Sequence, residues 1–242
     1  MRLNSILFDL GETLLDFGKV DLPGLFRQGA AAAYEYLREL GQPLPHFGRF
    51  HRLMLGQLRW RLVANRLLHR DFDARVLLKR LGGHLGQTLT AAQLDQLAWR
   101  WYQPLSACAT VEPGTREMLE GFRNCGLNLA VVSNTFVPGP TLDRHLASEN
   151  LLDLLPLRVY SCDVSYRKPD SRIFRKALAA LNIQPQQAMF VGDSLIADVW
   201  GANRLGMISI LKSPAGRTSR WIRPRHRIRS LLELPALVAR YL

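Results

Sequence analysis

Six side chains in this 242-residue sequence are of types that together could handle a phosphoryl group, and most of them follow short apolar runs. Asp9 closes Leu3-Asn-Ser-Ile-Leu-Phe8, Ser133 and Asn134 close the run 127–132, Lys168 stands in Arg167-Lys-Pro-Asp170, and Asp193 and Asp198 follow the run 188–191. Three carboxylates, a hydroxyl beside an amide, and one ammonium suit a divalent cation with a phosphate. A hard cation such as magnesium takes oxygen ligands, few of them from protein, and keeps positions for water and phosphate oxygens. Asp9 and Asp193 are the candidate ligands, with the backbone carbonyl of Gly11 as a further one. Asp198 could hold the ion's waters or orient Lys168. Ser133 and Lys168 would grip the non-bridging oxygens, where charge must be neutralised before an anionic nucleophile approaches. Asp9 is then the natural nucleophile, forming an aspartyl-phosphate. Thr13 and Asn134 complete the candidate substrate-binding set. Each also has a plain structural reading, Thr13 as a strand end and Asn134 as a turn cap.

For these residues to meet, the apolar runs must be strands of one sheet. After Pro113-Gly114 the pattern alternates helix and strand: helix 115–125, strand 127–132, a helix, strand 157–161, helix 171–181, strand 188–191, helix 195–205 and strand 208–211. That rhythm is the pattern of a parallel α/β sheet, in which ligands bind outside the carboxyl ends of the strands. Between the first strand and residue 108 the texture is helical only, with patches at 30–40, 47–68, 71–81 and 90–101, the last with Thr90 as N-cap. The expected division is an α/β core of residues 1–16 and 108–242, interrupted by an all-helical insertion, 17–107. Trp60, Trp99, Trp101 and Tyr102 are expected to pack within that insertion.

Four stretches carry a resemblance: Ile6-Leu-Phe-Asp9-Leu-Gly-Glu-Thr13-Leu, Val131-Val-Ser133-Asn134, Arg167-Lys168-Pro169-Asp170 and Val191-Gly-Asp193-Ser-Leu-Ile-Ala-Asp198. In this order and spacing the chain resembles the haloacid dehalogenase superfamily of phosphotransferases. The resemblance implies a Rossmann-like core, a small helical cap and magnesium. It also exposes a departure. Members with strong phosphatase activity carry a second Asp two residues after the nucleophile, as acid and base; here that position is Gly11, followed by Glu12. In an extended segment neighbouring side chains face opposite ways, so Glu12 is expected to turn aside and is a tentative substitute. General acid/base help is worth about 10²- to 10⁴-fold, a loss an enzyme can survive with good leaving groups. A dehalogenase would not need Asp193, and a phosphonate-cleaving relative would need a cap lysine, for which only Lys19 and Lys79 stand in the insertion.

The expected function is therefore a magnesium-dependent hydrolase of a small phosphorylated metabolite acting through Asp9. The alternative is a phosphometabolite-binding or regulatory protein that keeps the site with little turnover. Composition agrees with a folded enzyme: 48% hydrophobic and 21% charged residues exclude disordered and fibrous classes. Cys108, Cys125 and Cys162 are an odd number at wide spacing, without a metal-type pair, and suit a reducing cytoplasm. The first apolar run meets Asp9 too soon for a secretory segment, and no apolar stretch of about 18 residues spans a membrane. The net charge of +12 is uneven: the insertion holds 13 Lys or Arg against 6 Asp or Glu, and six arginines fall in Arg217–Arg229. A solvated surface accounts for them, or steering of anionic substrates. Arginines flanking Trp221 could touch a nucleic acid, but no recognition fold accompanies them. The sequence leaves oligomeric state open.

Overall fold

Strands covered on both faces must be apolar on both, and four of the runs read above are buried at nearly every position. The structure, a computed structural model, describes residues 2–68, 71–213, 216 and 219–242, excepting the side chains of 62–68. Its sheet comprises β1 (Ser5–Phe8), β2 (Asn128–Ser133), β3 (Leu157–Tyr160), β4 (Ala188–Gly192), β5 (Ile208–Lys212) and β6 (His226–Ile228). All neighbours are parallel, in the order β3-β2-β1-β4-β5-β6. Chain order reverses at β1, which lies between β2 and β4, and the carboxyl ends of strands at such a switch point are where ligands bind in open parallel sheets.

The period of two along each strand sorts the core into two layers. Ile6 and Phe8, with Leu129 and Val131, join one apolar cluster; Leu7, Ala130 and Val132 join another with Phe174 and Phe190. The insertion is four helices, α1 (Leu22–Glu39), α2 (Phe47–Leu68), α3 (Ala74–His84) and α4 (Ala91–Ser106), around their own apolar cluster, which includes Leu37, Phe50, Leu77 and Leu97. Two crossing backbone bonds between Asp16 and Thr110, at 2.9 and 2.8 Å, tie its two connections together. On the core, α5 (Thr115–Asn124) and α6 (Gly139–Ser148) pack on one layer; α7 (Ser161–Val164) and α8 (Ser171–Leu181) follow β3.

Several elements differ from expectation. Helix α1 starts eight residues early, because Asp21 caps Gly24 and Pro23 suits a first turn, although the apolar rhythm begins only at Ala30. Helix α3 starts at Ala74, since Asp73 caps it, and Asp71 is left outside. Thr90 does cap α4, in a reciprocal box with Gln93. The expected helix 195–205 is a π-helical turn, Leu195–Trp200, followed by a short α-turn. β6 was not anticipated, for two of its three residues, His226 and Arg227, are polar and only Ile228 is buried. Of the aromatic residues expected within the insertion, only Trp101 joins its cluster: Tyr102 is buried in the cluster of Ile6 and Phe8, with Trp99 packed against that cluster, and Trp60 is 72% exposed. The three cysteines are free. Among the described residues no helix is long and apolar enough to cross a membrane.

Candidate active site

The carboxyl ends of β2, β1 and β4 place Ser133, Asp9 and Asp193 side by side, because the three strands are register neighbours. Lys168 arrives from the loop before α8. Its ammonium lies 2.8 Å from Asp9 Oδ1 and 2.7 Å from Asp198 Oδ1, with the Lys168 side chain and Asp198 both excluded from solvent. Burial would depress the lysine, yet the two carboxylates overcome it and hold the ammonium charged, above its ordinary value. Burial pushes Asp198 up to about 7, against the pull of Lys168. One oxygen from each of Asp9, Asp193 and Asp198 falls within a 4.8 Å cluster.

Local geometry explains how Asp198 gets there. Ser194 caps the π-helical turn by accepting from the Ala197 N–H at 3.1 Å, and its own N–H donates to Asp198 Oδ2 at 2.8 Å. The widened turn points Asp198 inward beneath β4. A Cβ at Gly192 would sit 2.4 Å from Asp198 Cγ, so a glycine there is required for the approach. Both oxygens of Asp198 are thus committed within the protein. Asp9 Oδ1 accepts the Leu10 N–H at 2.7 Å and also forms the ion pair with Lys168.

Asn134 spends its amide on Lys168: Nδ2 donates to the Lys168 carbonyl at 2.9 Å, and Oδ1 accepts its N–H at 2.7 Å. It therefore sets the position of the lysine backbone. Ser133 ends β2, nearly buried. Thr13 is buried, its hydroxyl without a partner among the described residues and its carbonyl taken by Lys212 Nζ at 2.8 Å. The segment after Asp9 is a tight turn, with Glu12 N–H donating to the Leu15 carbonyl at 2.7 Å. Glu12 has a φ of 56°, in the left-handed region. The extended-chain reasoning that turned it away therefore does not apply. Its carboxyl is held above the ordinary range by burial, then by Asp16, with Asp193 adding to both. Gly11 has an ordinary φ, and a Cβ there would meet only Phe17, at 3.8 Å.

Sequence reasoning missed a second set of residues that joins the insertion to these loops. Ser161 Oγ donates to Asp71 Oδ2 at 2.6 Å and accepts the Thr135 N–H at 2.8 Å, while Arg167 pairs with Asp71 at 3.4 Å. The Ala74 N–H donates to the Phe136 carbonyl at 2.9 Å. Lys212 could have been found as one more charged residue closing an apolar strand. Asp71, ninety residues from Ser161, carries no such signal.

Comparisons with known proteins concern the chain as a whole. A family model described as haloacid dehalogenase-like hydrolase matches residues 3–206. A ribulose-1,5-bisphosphate 5-phosphatase from Halopiger xanaduensis is 29% identical over 216 residues, 87% of this chain and 85% of that protein. A glyceraldehyde 3-phosphate phosphatase from Pyrococcus abyssi is 29% identical over 208 residues, 86% of this chain and 80% of that one. Among solved structures, a HAD phosphatase from Thermococcus onnurineus shares the fold, with a TM-score of 0.64 at 24% identity over 98% of each chain.

Proposed function

The chain belongs to the haloacid dehalogenase-like hydrolases, and on that premise we propose that it is a magnesium-dependent phosphatase of a small phosphorylated metabolite, acting through Asp9. The observation that carries this reading is the charged lysine buried against two carboxylates where three strand ends meet, with Asp193 beside them. The all-oxygen donor set suits magnesium. Asp9 and Asp193 would hold the ion, with the Gly11 carbonyl as a third donor. Asp198, its oxygens already engaged by Lys168 and the Ser194 N–H, serves by positioning the lysine and the ion's waters. Bound there, the cation would supply Lewis-acid neutralisation of phosphate oxygens.

The protein's own groups account for the rest. Lys168, Ser133 and Thr13 receive the transferring phosphate, and Asn134 fixes Lys168 through its backbone. Oδ2 of Asp9, outside the contacts that occupy Oδ1 among the described residues, attacks phosphorus and displaces the alcohol, leaving an aspartyl-phosphate that water hydrolyses. Glu12, turned by its left-handed backbone into the field of Asp193 and held toward its neutral form, is the proton carrier in place of the residue missing at Gly11. The relatives named for sugar phosphates place phosphorylated sugars first among substrates to try, and a cytoplasmic setting fits such metabolites. A screen of phosphorylated metabolites is expected to show magnesium-dependent phosphate release that Asp9→Asn abolishes and Glu12→Gln reduces. No release from any of them would reject the reading.

Gly11 favours a second reading, a phosphometabolite-binding protein with little turnover. Calorimetry showing tight binding without phosphate release would select it. Position 11 has room for a side chain, so Gly11→Asp is expected to fold and to raise turnover of poor leaving groups by about 10²-fold.

A further inference from the structure

The arginines late in the chain have no part in the site above. Arg217 lies outside the described residues. Arg223 and Arg225, however, join Arg240 around a cleft of about 830 Å³ whose lining also includes Gln186, Asn203 and Tyr241. Gln186 precedes β4, and the cleft reaches Ile208 at the start of β5, so it sits at the amino ends of strands whose carboxyl ends carry the catalytic cluster. The five residues of β4 separate the two by on the order of 15 Å.

Three features make the cleft a built anion site rather than scattered surface charge. First, all three arginines are exposed, no acidic residue lines the recess, and none of the three has an ion pair among the described residues. Second, the walls are fixed. Asn203 Nδ2 donates to the Arg223 carbonyl at 2.9 Å, its Oδ1 accepts from Ser209 Oγ at 2.6 Å, and the Arg225 N–H donates to the Ser209 carbonyl at 3.0 Å. Opposite, Tyr241 is held through its hydroxyl by His226 at 2.6 Å and through its carbonyl by the Leu3 N–H at 2.9 Å. Such preorganisation lowers the cost of binding. Third, Arg225 and Arg240 both bear on His226, which burial and then these two charges lower.

We propose that this cleft binds a small anion carrying two or more phosphate groups, at a site separate from Asp9. Its volume falls in the range of small-ligand pockets, roughly 300–1,000 Å³, and the guanidinium fork of each of the three lining arginines suits a phosphate bidentately. A nucleic-acid surface would instead spread its charge along an extended face.

Calorimetry on the full chain in metal-free buffer tests this with two probes, tripolyphosphate and β,γ-methylene-ATP. Saturable binding is expected, weakened about tenfold or more in Arg225→Ala/Arg240→Ala, the loss that follows removal of charge-assisted contacts. The thermal midpoint should be unmoved, since these side chains are exposed. Arg223→Ala alone should weaken binding in the same direction. Equal affinities for the two probes assign the site to phosphates; tighter nucleotide binding assigns it to the nucleotide. No saturable heat with either probe, or affinities unchanged in the variants, would overturn the proposal. So would a single-stranded oligonucleotide binding more tightly than both.

Discussion

The core and the cap carry their charge in opposite ways. In the core, one ammonium lies within 2.8 Å of each of two carboxylates, with Lys168 and Asp198 out of reach of water and Asp9 nearly so. In the cap, 13 basic residues stand against six acidic ones, and its ion pairs reach solvent to different degrees, from the part-buried Arg75 with Asp73 to the exposed Arg38 with Glu35, whose side chains are 70% and 50% accessible. A buried cluster cannot relax when one member is removed, whereas an exposed pair is screened by salt and replaced by water. Chemistry is thus placed where geometry is rigid. The cap meets that rigid part through few bonds, chiefly Asp71 with Ser161 and Arg167, and Tyr102 with His145 at 2.9 Å.

Breaking the core cluster should have the largest effect. Lys168→Met leaves Asp9 and Asp198 facing each other without a counter-charge, and should destabilise the protein by about 3–5 kcal/mol while removing turnover. Chemical denaturation of the variant checks the first, and a loss below about 1 kcal/mol would erase the contrast with the cap.

The join between the regions comes next. Burial lowers His145 to about 4, and it sits neutral against the Tyr102 hydroxyl, with Glu149 at 3.9 Å too distant to restore its charge. The unfolded chain binds this proton near its ordinary pKa of about 6.5. Stability from this group is therefore complete above that value and is lost as pH falls toward 4. Between pH 7 and 4.5 the loss should be about 2–3 kcal/mol, and His145→Gln should flatten that slope. An unchanged slope would remove His145 from the account.

Asp71→Asn should cost less, about 1–2 kcal/mol, because it weakens the Arg167 pair and one hydrogen bond while leaving the strand ends in place. Its signature should be kinetic, a higher KM with kcat little changed, if the latch only sets the cap against the loops. A fall in kcat alone would give Asp71 a part in the chemistry. Smallest of all, Arg38→Ala should change stability by no more than about 0.5 kcal/mol.

The same contrast governs what could be read from the sequence. Asp9, Ser133 and Asp193 were legible because each ends or follows a strand covered on both faces, and such strands are plain apolar runs. The insertion was legible as helices, though its first helix began earlier than its apolar rhythm. Contacts between distant parts were not: Asp71 with Ser161 leaves no local pattern. The left-handed backbone of Glu12 was hidden too, since glutamate rarely adopts it. Nor did the apolar pattern reveal that Asp198 would bend its helix into a π-turn to reach Lys168.

The central claim is that Asp9 carries the phosphoryl group. Acid-quenching the protein during turnover of its best substrate with magnesium, followed by peptide mass mapping, tests it directly. The account predicts one phosphoryl group on the peptide bearing Asp9, absent in Asp9→Asn. Phosphate release with that peptide unmodified at every quench time would contradict it.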